Sequence, residues 1–273
     1  MVNGFSAPED GWFVNSYYFR TPDGIFVFDT QLLVDYASAL LDQIVDEAQA
    51  SDITAVFISH PHPDHYNGAP LFSRRTKAAF YSTRATAKII ARRAPRDLQA
   101  LKAQYKRRLP HTFLIPSEVF KDRLEIKWKK AALQLIDMGP AESQTGLIGF
   151  IPHLNILLAG DLVYNRVHLK FYDGSAQAWR QALVRLKSMK IKRVYPGHGA
   201  AAGPEIIPHL IRYIDHFQLA IDYFGRGKEA LDAEDRRRIV GAMCDKYPDY
   251  LAPENLEASV DVEFARQRGA KVA

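Results

Sequence analysis

Residues 53–59, Ile-Thr-Ala-Val-Phe-Ile-Ser, run straight into His60-Pro61-His62-Pro63-Asp64-His65. The first stretch is apolar and β-branched, as in a strand buried on both faces. The second sets three imidazoles and a carboxylate at the end of that strand. A chain carrying this junction must bury the strand inside layered secondary structure and collect the polar groups at one edge.

Strand and helix signals alternate around the junction. Apolar runs at 14–19 and 25–29 flank Thr21-Pro22-Asp23-Gly24. Proline presets φ there and glycine tolerates positive φ, so the pair predicts a hairpin. Leu40, Leu41, Ile44, Val45 and Ala48 recur at helical spacing and predict a helix over 36–48. A short strand is expected at 78–81. Thr83 can cap a helix reaching about residue 93, Pro95 punctuates, and a second helix is expected over 97–108. Strands are expected at 124–128 and 132–137, and a hairpin of 147–151 with 156–159 across Pro152-His153-Leu154-Asn155. An amphipathic helix follows over 175–189, then a strand at 193–195 that stops at Pro196-Gly197-His198-Gly199. From 204 onward the pattern is helical, with a proline-punctuated break near 247–253. This order predicts two sheets packed face to face with helices outside. The organisation expected is a single domain over 1–273, with a basic helical insertion at about 83–117 and a helical C-terminal region at about 204–273.

The chain has 273 residues, 47% of them hydrophobic and 25% charged, which suits a soluble protein with a substantial core. Its only cysteine, Cys244, rules out an intramolecular disulfide and fits a reducing compartment. The N-terminus lacks a basic stretch followed by an apolar one, so no signal peptide is expected. The uncharged span 144–160 holds glycine, proline, histidine and asparagine and reads as strands rather than a membrane helix. A cytoplasmic chain without membrane contact is the expectation.

Charge is unevenly spread. Residues 74–130 carry 17 Lys+Arg against 4 Asp+Glu, and the remainder carries 19 against 27. Lys88, Arg92 and Arg96 fall at i, i+4 and i+8, and Lys102, Lys106 and Arg107 continue the series around Tyr105. A solvated helical face is the simpler account. Aromatic interleaving is sparse and no nucleic-acid fold signature is present, so a nucleic-acid partner is disfavoured.

His60 and His62, two apart at a strand end, project to the same side, and Pro61 and Pro63 stiffen the turn. Imidazole nitrogen and carboxylate oxygen are the ligands a borderline cation such as zinc accepts. Four such groups within six positions reach two adjacent ions more readily than they satisfy one tetrahedral ion. Asp161 ends the apolar run Ile156–Gly160 and has the right form to bridge two ions. His198 stands at another strand end, where Gly197 and Gly199 permit close backbone approach. His168, seven residues beyond Asp161, reads either as a catalytic group touching substrate at the site mouth or as an ordinary loop histidine. Tyr66, Asn67, Tyr164 and Asn165 flank these positions as oxyanion donors or as packing neighbours.

With VFDT closing the hairpin, then HPHPDH, AGD and GHG in that order, the chain resembles the metallo-β-lactamase superfamily over most of its length. The resemblance implies an αββα sandwich with additional C-terminal helices and a two-metal hydrolytic site at one edge. It implies His60 and His62 on a first metal, Asp64, His65 and His198 on a second, and Asp161 bridging. The family's usual third histidine, in a Gly-His-Thr/Ser setting, has no counterpart. The corresponding stretch is MGPAESQTG, where Glu142 precedes Ser143. Glu142 reads as an oxygen ligand in place of imidazole, as a catalytic or supporting carboxylate beside a weak first site, or as a solvated loop residue. The ligand reading is preferred, because carboxylates ligate zinc, iron and manganese. The alkylsulfatase branch is similar in placing a carboxylate there, but the chain's length argues against that branch's extra domains.

The function implied is hydrolysis in which a metal-bound hydroxide, formed because bound water has its pKa lowered to about 7, attacks an ester, lactone, thioester or related bond. Asp64 and Asp161 would orient it. Zinc, two ions per chain, is the expected cofactor, with iron or manganese as alternatives. The expected partner is a small-molecule substrate, and an anionic one would suit the basic segment, which lies where the superfamily varies and could cap the site. The alternatives are a nuclease, phosphodiesterase or sulfate-ester hydrolase acting on an anionic substrate, a non-catalytic metal-binding protein, and an iron-dependent oxidoreductase.

Overall fold

The computed structural model describes residues 1–47, 52–171 and 173–269. Ala48 of the expected first helix and residues 270–273 of the expected C-terminal region lie outside the described residues. The first sheet runs β1 (Val2–Ser6), β2 (Asn15–Thr21), β3 (Gly24–Phe28), β4 (Ile53–Phe57), β5 (Ala79–Thr83), β6 (Glu118–Phe120), in that spatial order. Its first three strands are antiparallel and the pairs from β3 to β6 are parallel. The second sheet contains β7 (Arg123–Trp128), β8 (Ala131–Asp137), β9 (Leu147–Ile151), β10 (Ile156–Tyr164) and β11 (Arg193–His198), in the order β11-β10-β9-β8-β7. Only β10 and β11 pair in parallel there, among the described residues.

Three apolar clusters define the layers. Phe26, Phe28 and Phe57 of the first sheet meet Leu133, Leu135 and Leu158 of the second. The other face of the first sheet, through Val27 and Val56, packs on α1 (Val34–Glu47), α2 (Pro63–Tyr66), α3 (Ala69–Arg75) and α4 (Arg84–Tyr105). The other face of the second, through Leu157 and Ala159, packs on α5 (Ala176–Leu186), α6 (Ile206–Phe224), α7 (Ala233–Lys246) and α8 (Glu254–Gln267). The central strands are buried on both faces, as their near-continuous apolar runs require. The result is helix, sheet, sheet, helix, with three helices added after the last strand.

The expected hairpin forms, and its turn glycine Gly24 adopts φ +121°. Thr83 and Ser175 cap α4 and α5 by accepting from the backbone amides of Thr86 and Ala178. Three expectations need correction. Residues 84–105 form one helix that runs through Pro95, not two helices. Pro95 lies on the exposed side, and so does Ala91, whose carbonyl loses its partner there. That carbonyl is on the solvent-facing side, where water can reach it, and the alanine-rich flanks carry the helix across. Strands β1 and β6 were not expected. Short and without sustained alternation, they lack a pattern of their own and pair where β2 and β5 offer open edges.

A proline inside a helix costs about 3 kcal/mol relative to alanine, and its restriction of the unfolded chain returns about 1 kcal/mol. Pro95→Ala should therefore raise stability by roughly 1–2 kcal/mol in urea unfolding. A lowered midpoint would show that Pro95 sits at a genuine break.

Candidate metal centre

The chain turns sharply after β4. His62 keeps extended dihedrals (φ −95°, ψ 143°), and Pro63 then starts the single-turn α2, which carries Asp64 and His65. The motif is thereby split, with His60 and His62 facing one way and Asp64 and His65 the other. Three more groups arrive from the second sheet. Glu142 comes from the β8–β9 loop, Asp161 from β10 just past a register shift at Gly160, and His198 from the end of β11. A Cβ on Gly197 would collide with Asp161 Oδ1, so this position must be glycine. Asn15 Nδ2 donates to the carbonyls of Pro196 (3.0 Å) and Gly199 (2.7 Å), and the Tyr17 hydroxyl donates to Pro196 O at 2.8 Å. The N-terminal hairpin thus grips the turn that presents His198.

The seven side chains form two groups sharing one carboxylate. The first is His60, His62, Glu142 and Asp161, and the second is Asp64, His65, Asp161 and His198. In the first, His62 Nδ1 lies 3.2 Å from Glu142 Oε1, and His60 Nε2 lies 3.6 Å from Glu142 Oε2 and 3.5 Å from Asp161 Oδ2. In the second, His65 Nε2 lies 3.2 Å from both Asp64 Oδ2 and Asp161 Oδ1. His198 Nε2 lies 3.4 Å from Asp64 Oδ2 and 3.3 Å from Asp161 Oδ2. His65 Nε2, Glu142 Oε2 and Asp161 Oδ1 are buried without a hydrogen-bond partner. Atoms in that state are costly unless a cation meets them, so the donor set fits metal ions.

Each imidazole is held by its other nitrogen. His60 Nδ1 donates to Ser59 Oγ at 2.9 Å, and Ser59 Oγ donates to Asp29 Oδ2 at 2.8 Å. His65 Nδ1 donates to the same Asp29 oxygen at 2.8 Å, His62 Nε2 to Asp173 Oδ2 at 2.6 Å, and His198 Nδ1 to Trp12 O at 2.8 Å. Such partners fix ring orientation and raise ligand basicity. The sequence pointed to none of them as supports. Asp29 entered only as part of VFDT, and Asp173 stands 111 residues from His62 with no local signal.

Burial excludes the solvated-loop reading of Glu142, which is 3% exposed. His168 does not reach the mouth of the site. It is buried, its Nδ1 lies 2.7 Å from the Tyr213 hydroxyl, and its Nε2 faces Cys244. Helices α6 and α7 cover it, so the catalytic expectation for His168 is set aside. Tyr66 and Asn67 are packed into the core, and Asn165 Nδ2 donates to Ala200 O. Tyr164 does line the site, donating to Asp161 Oδ2 at 2.8 Å.

Above these groups opens a cavity of about 400 Å³. Trp12, Phe13 and Leu101 form an apolar wall, Lys170 adds a cation, and Asn255 and Ala258 of α8 close one side. Among the C-terminal helices, α8 borders this cavity.

Electrostatics without metal are dominated by the carboxylates. Burial opposes charge on His62, yet Glu142 and then Asp173 outweigh it and push the imidazole up to about 10. Burial likewise opposes charge on His198, and Asp161 outweighs it, to about 9. His65 is held well above the ordinary range by Asp161, Asp64 and Asp29 against its own burial. His60, buried beside the charged His65, falls well below it. Burial also pushes Glu142 up, against the opposing pull of His62.

Residues 10–198 match the model of the metallo-beta-lactamase superfamily. Among solved structures, the fold is similar to a metallo-beta-lactamase from Pontibacter korlensis, with TM-score 0.64, 17% identity, and coverage of 78% of this chain and 94% of that one. It is also similar to a metallo beta lactamase from Hirschia baltica, with TM-score 0.59, 18% identity and coverage of 78% and 91%. A linear primary-alkylsulfatase of Pseudomonas sp. (strain ATCC 19151) is 22% identical in an alignment of 230 positions that covers 71% of this chain. The match spans 43% of that enzyme, so the chain spans less than half the length of the curated relative it matches.

A cation entering these groups must displace the protons held on His62, His65 and His198. Adding zinc to the metal-free protein at pH 8, in weak buffer with an indicator dye, should release more than one proton per chain. The release should shrink as pH rises through about 9 to 10, where His198 and His62 lose their protons unaided. No release at pH 8 would refute the site.

Proposed function

This chain belongs to the metallo-β-lactamase superfamily, and we propose that it is a metal-dependent hydrolase cleaving an ester-type bond in a small molecule that carries a negative charge. The observation that carries the proposal is the shared Asp161 carboxylate, set between two ligand groups on the floor of the cavity. His60, His62, Glu142 and Asp161 would hold one ion, and Asp64, His65, His198 and Asp161 a second. The donors suit zinc, with iron or manganese compatible. Such ions supply Lewis acidity that polarises the scissile bond and activates water near neutral pH.

The chain's own residues do the positioning. Asp64 and Asp161 line the cavity, where their oxygens would orient the attacking water. Tyr164 holds Asp161 by its hydroxyl. Burial, then the charges of Asp161, Glu142 and Asp64, push that phenol well above its ordinary range, so it remains a donor throughout. Lys170 makes no ion pair among the described residues, and its Nζ lies 5.8 Å from the Trp12 ring centroid. An anionic group on the substrate would find its partner there, with the apolar remainder against Trp12, Phe13 and Leu101. Glu9 and Glu254 also border the cavity but are exposed, so solvent screens them.

A sulfate ester is the second reading, favoured by Glu142 among the ligands and by the similarity to an alkylsulfatase.

Elemental analysis of the purified protein and Glu142→Ala, both assayed on carboxylic ester, lactone and sulfate ester panels, tests the proposal. Two ions in the wild type, fewer in the variant and turnover of one class support it. One ion per chain ends the two-metal mechanism, and two ions with no turnover on any panel ends the hydrolase reading. Lys170→Ala should raise KM for an anionic substrate roughly 10-fold or more, the worth of a hydrogen bond to a charged group, and leave kcat nearly unchanged. An unchanged KM would remove Lys170 from substrate recognition.

A further inference from the structure

Among the four imidazoles, His62 has the side-chain support most distant in sequence. Ser59 adjoins His60 and Asp29 sits one strand from His65, whereas His62 Nε2 depends on Asp173, in the loop before α5. The Asp173 oxygen that takes this bond, Oδ2, also accepts from Arg93 Nη1 at 2.6 Å. Arg93 Nε in turn faces Asp97 Oδ2 at 3.6 Å. Arg93 and Asp173 are largely buried, with side chains 18% and 14% exposed.

The two loops on either side of His62 are locked together. A Cβ on Gly174, next to Asp173, would collide with the carbonyls of Ala141 and Glu142. Ser175 N donates to Ala141 O at 3.2 Å. One loop therefore sets Glu142 Oε1 at His62 Nδ1, and its neighbour sets Asp173 Oδ2 at Nε2. An imidazole presents one nitrogen inward only while the other is held. With Glu142 where a third imidazole would stand, His60 and His62 are the only nitrogen donors of the first group.

We propose that Asp173 is the residue that positions His62 with Nδ1 toward the first ion, and that Arg93 acts through Asp173 rather than on the ion or the substrate. This inference rests on the two-ion reading above. It gives part of the basic insertion a task. Along α4, Arg93, Asp97, Ala100 and Leu101 fall on the side that walls the metal cavity, whereas Pro95, Leu98, Gln99 and Lys102 line a separate groove. Arg93 is the cation of this helix that turns inward to the metal cavity.

The test is zinc titration of the full chain against a chromophoric chelator, with cobalt(II) absorption reporting the ligand field. Asp173→Ala should weaken one of the two sites roughly 10- to 100-fold, the usual effect of losing such a support, and leave the other unchanged. Asp173→Asn, whose Oδ1 can still accept from Nε2–H, should recover part of the loss. Arg93→Gln should weaken the same site, and Arg93→Gln combined with Asp173→Ala should bind no worse than Asp173→Ala alone. The cobalt spectrum of Asp173→Ala should change at the weakened site only. Equal weakening of both sites, additive losses in the double variant, or unchanged affinity in Asp173→Ala and Asp173→Asn would each overturn the proposal. Wild-type protein that binds fewer than two zinc ions would sink the two-ion reading itself. Two ions in wild type with Asp173 variants unaffected would sink only the positioning role.

Discussion

Asp64, Glu142 and Asp161 are all buried, Asp161 beside each of the other two and every one of them within a few ångströms of two or more imidazoles. Isolated carboxylates removed from water are strongly unfavourable, and an interior cannot tolerate three of them without positive charge close by. Protons on His62, His65 and His198 supply that charge when no ion is bound, which is why their pKa values are displaced so far upward. Cations in the two ligand groups would supply it better, since they also meet the orphaned atoms of His65, Glu142 and Asp161. Much of the surrounding architecture serves to hold this concentration of charge in one place.

The hold is distributed over both sheets. The first sheet supplies the strand end that carries HPHPDH, together with Asp29 and Ser59 beneath it. Its N-terminal hairpin reaches across to the last strand of the second sheet through Asn15 and Tyr17. Trp12 and Phe13 adopt positive φ (62° and 56°), a costly conformation for bulky residues. That conformation accompanies the Trp12 carbonyl's contact with His198 and the placing of both rings in the cavity wall. The second sheet delivers Asp161 through an irregularity in β10, and a glycine on β11 leaves room for its carboxylate. Helix α4 forms one wall and α8 another, so the elements added to the sandwich enclose the site.

The fold was legible because it rests on local pattern. Apolar runs bounded by Pro, Gly, Asn and Asp marked most of the strands, and helical spacing marked α1, α5 and the C-terminal helices. The prolines misled at position 95, where exposure and good neighbours let a helix continue. Edge strands β1 and β6 escaped notice because their pairing partner, not their composition, makes them strands. His168 misled differently. A histidine a short way past a ligand has no signature that separates a substrate contact from a buried partner of Tyr213, and only the packing of α6 and α7 decided it.

The sequence by itself determined the chemistry on offer. His60, His62, Asp64 and His65 lie close enough along the chain to reveal themselves, and Asp161, His198 and Glu142 could be matched to strand ends and to a family pattern. Their supports could not be read. Asp29, Asp173, Arg93 and the Trp12 carbonyl are ordinary residues until the chain folds, because a hydrogen bond between positions 62 and 173 depends on distance in space and leaves no mark on spacing. The tertiary structure alone decided that Glu142 is buried against His62, that Asp161 lies between both groups, and which nitrogen each imidazole turns inward. Those outcomes follow from how two sheets and their covering helices pack, and packing is a property of the whole chain.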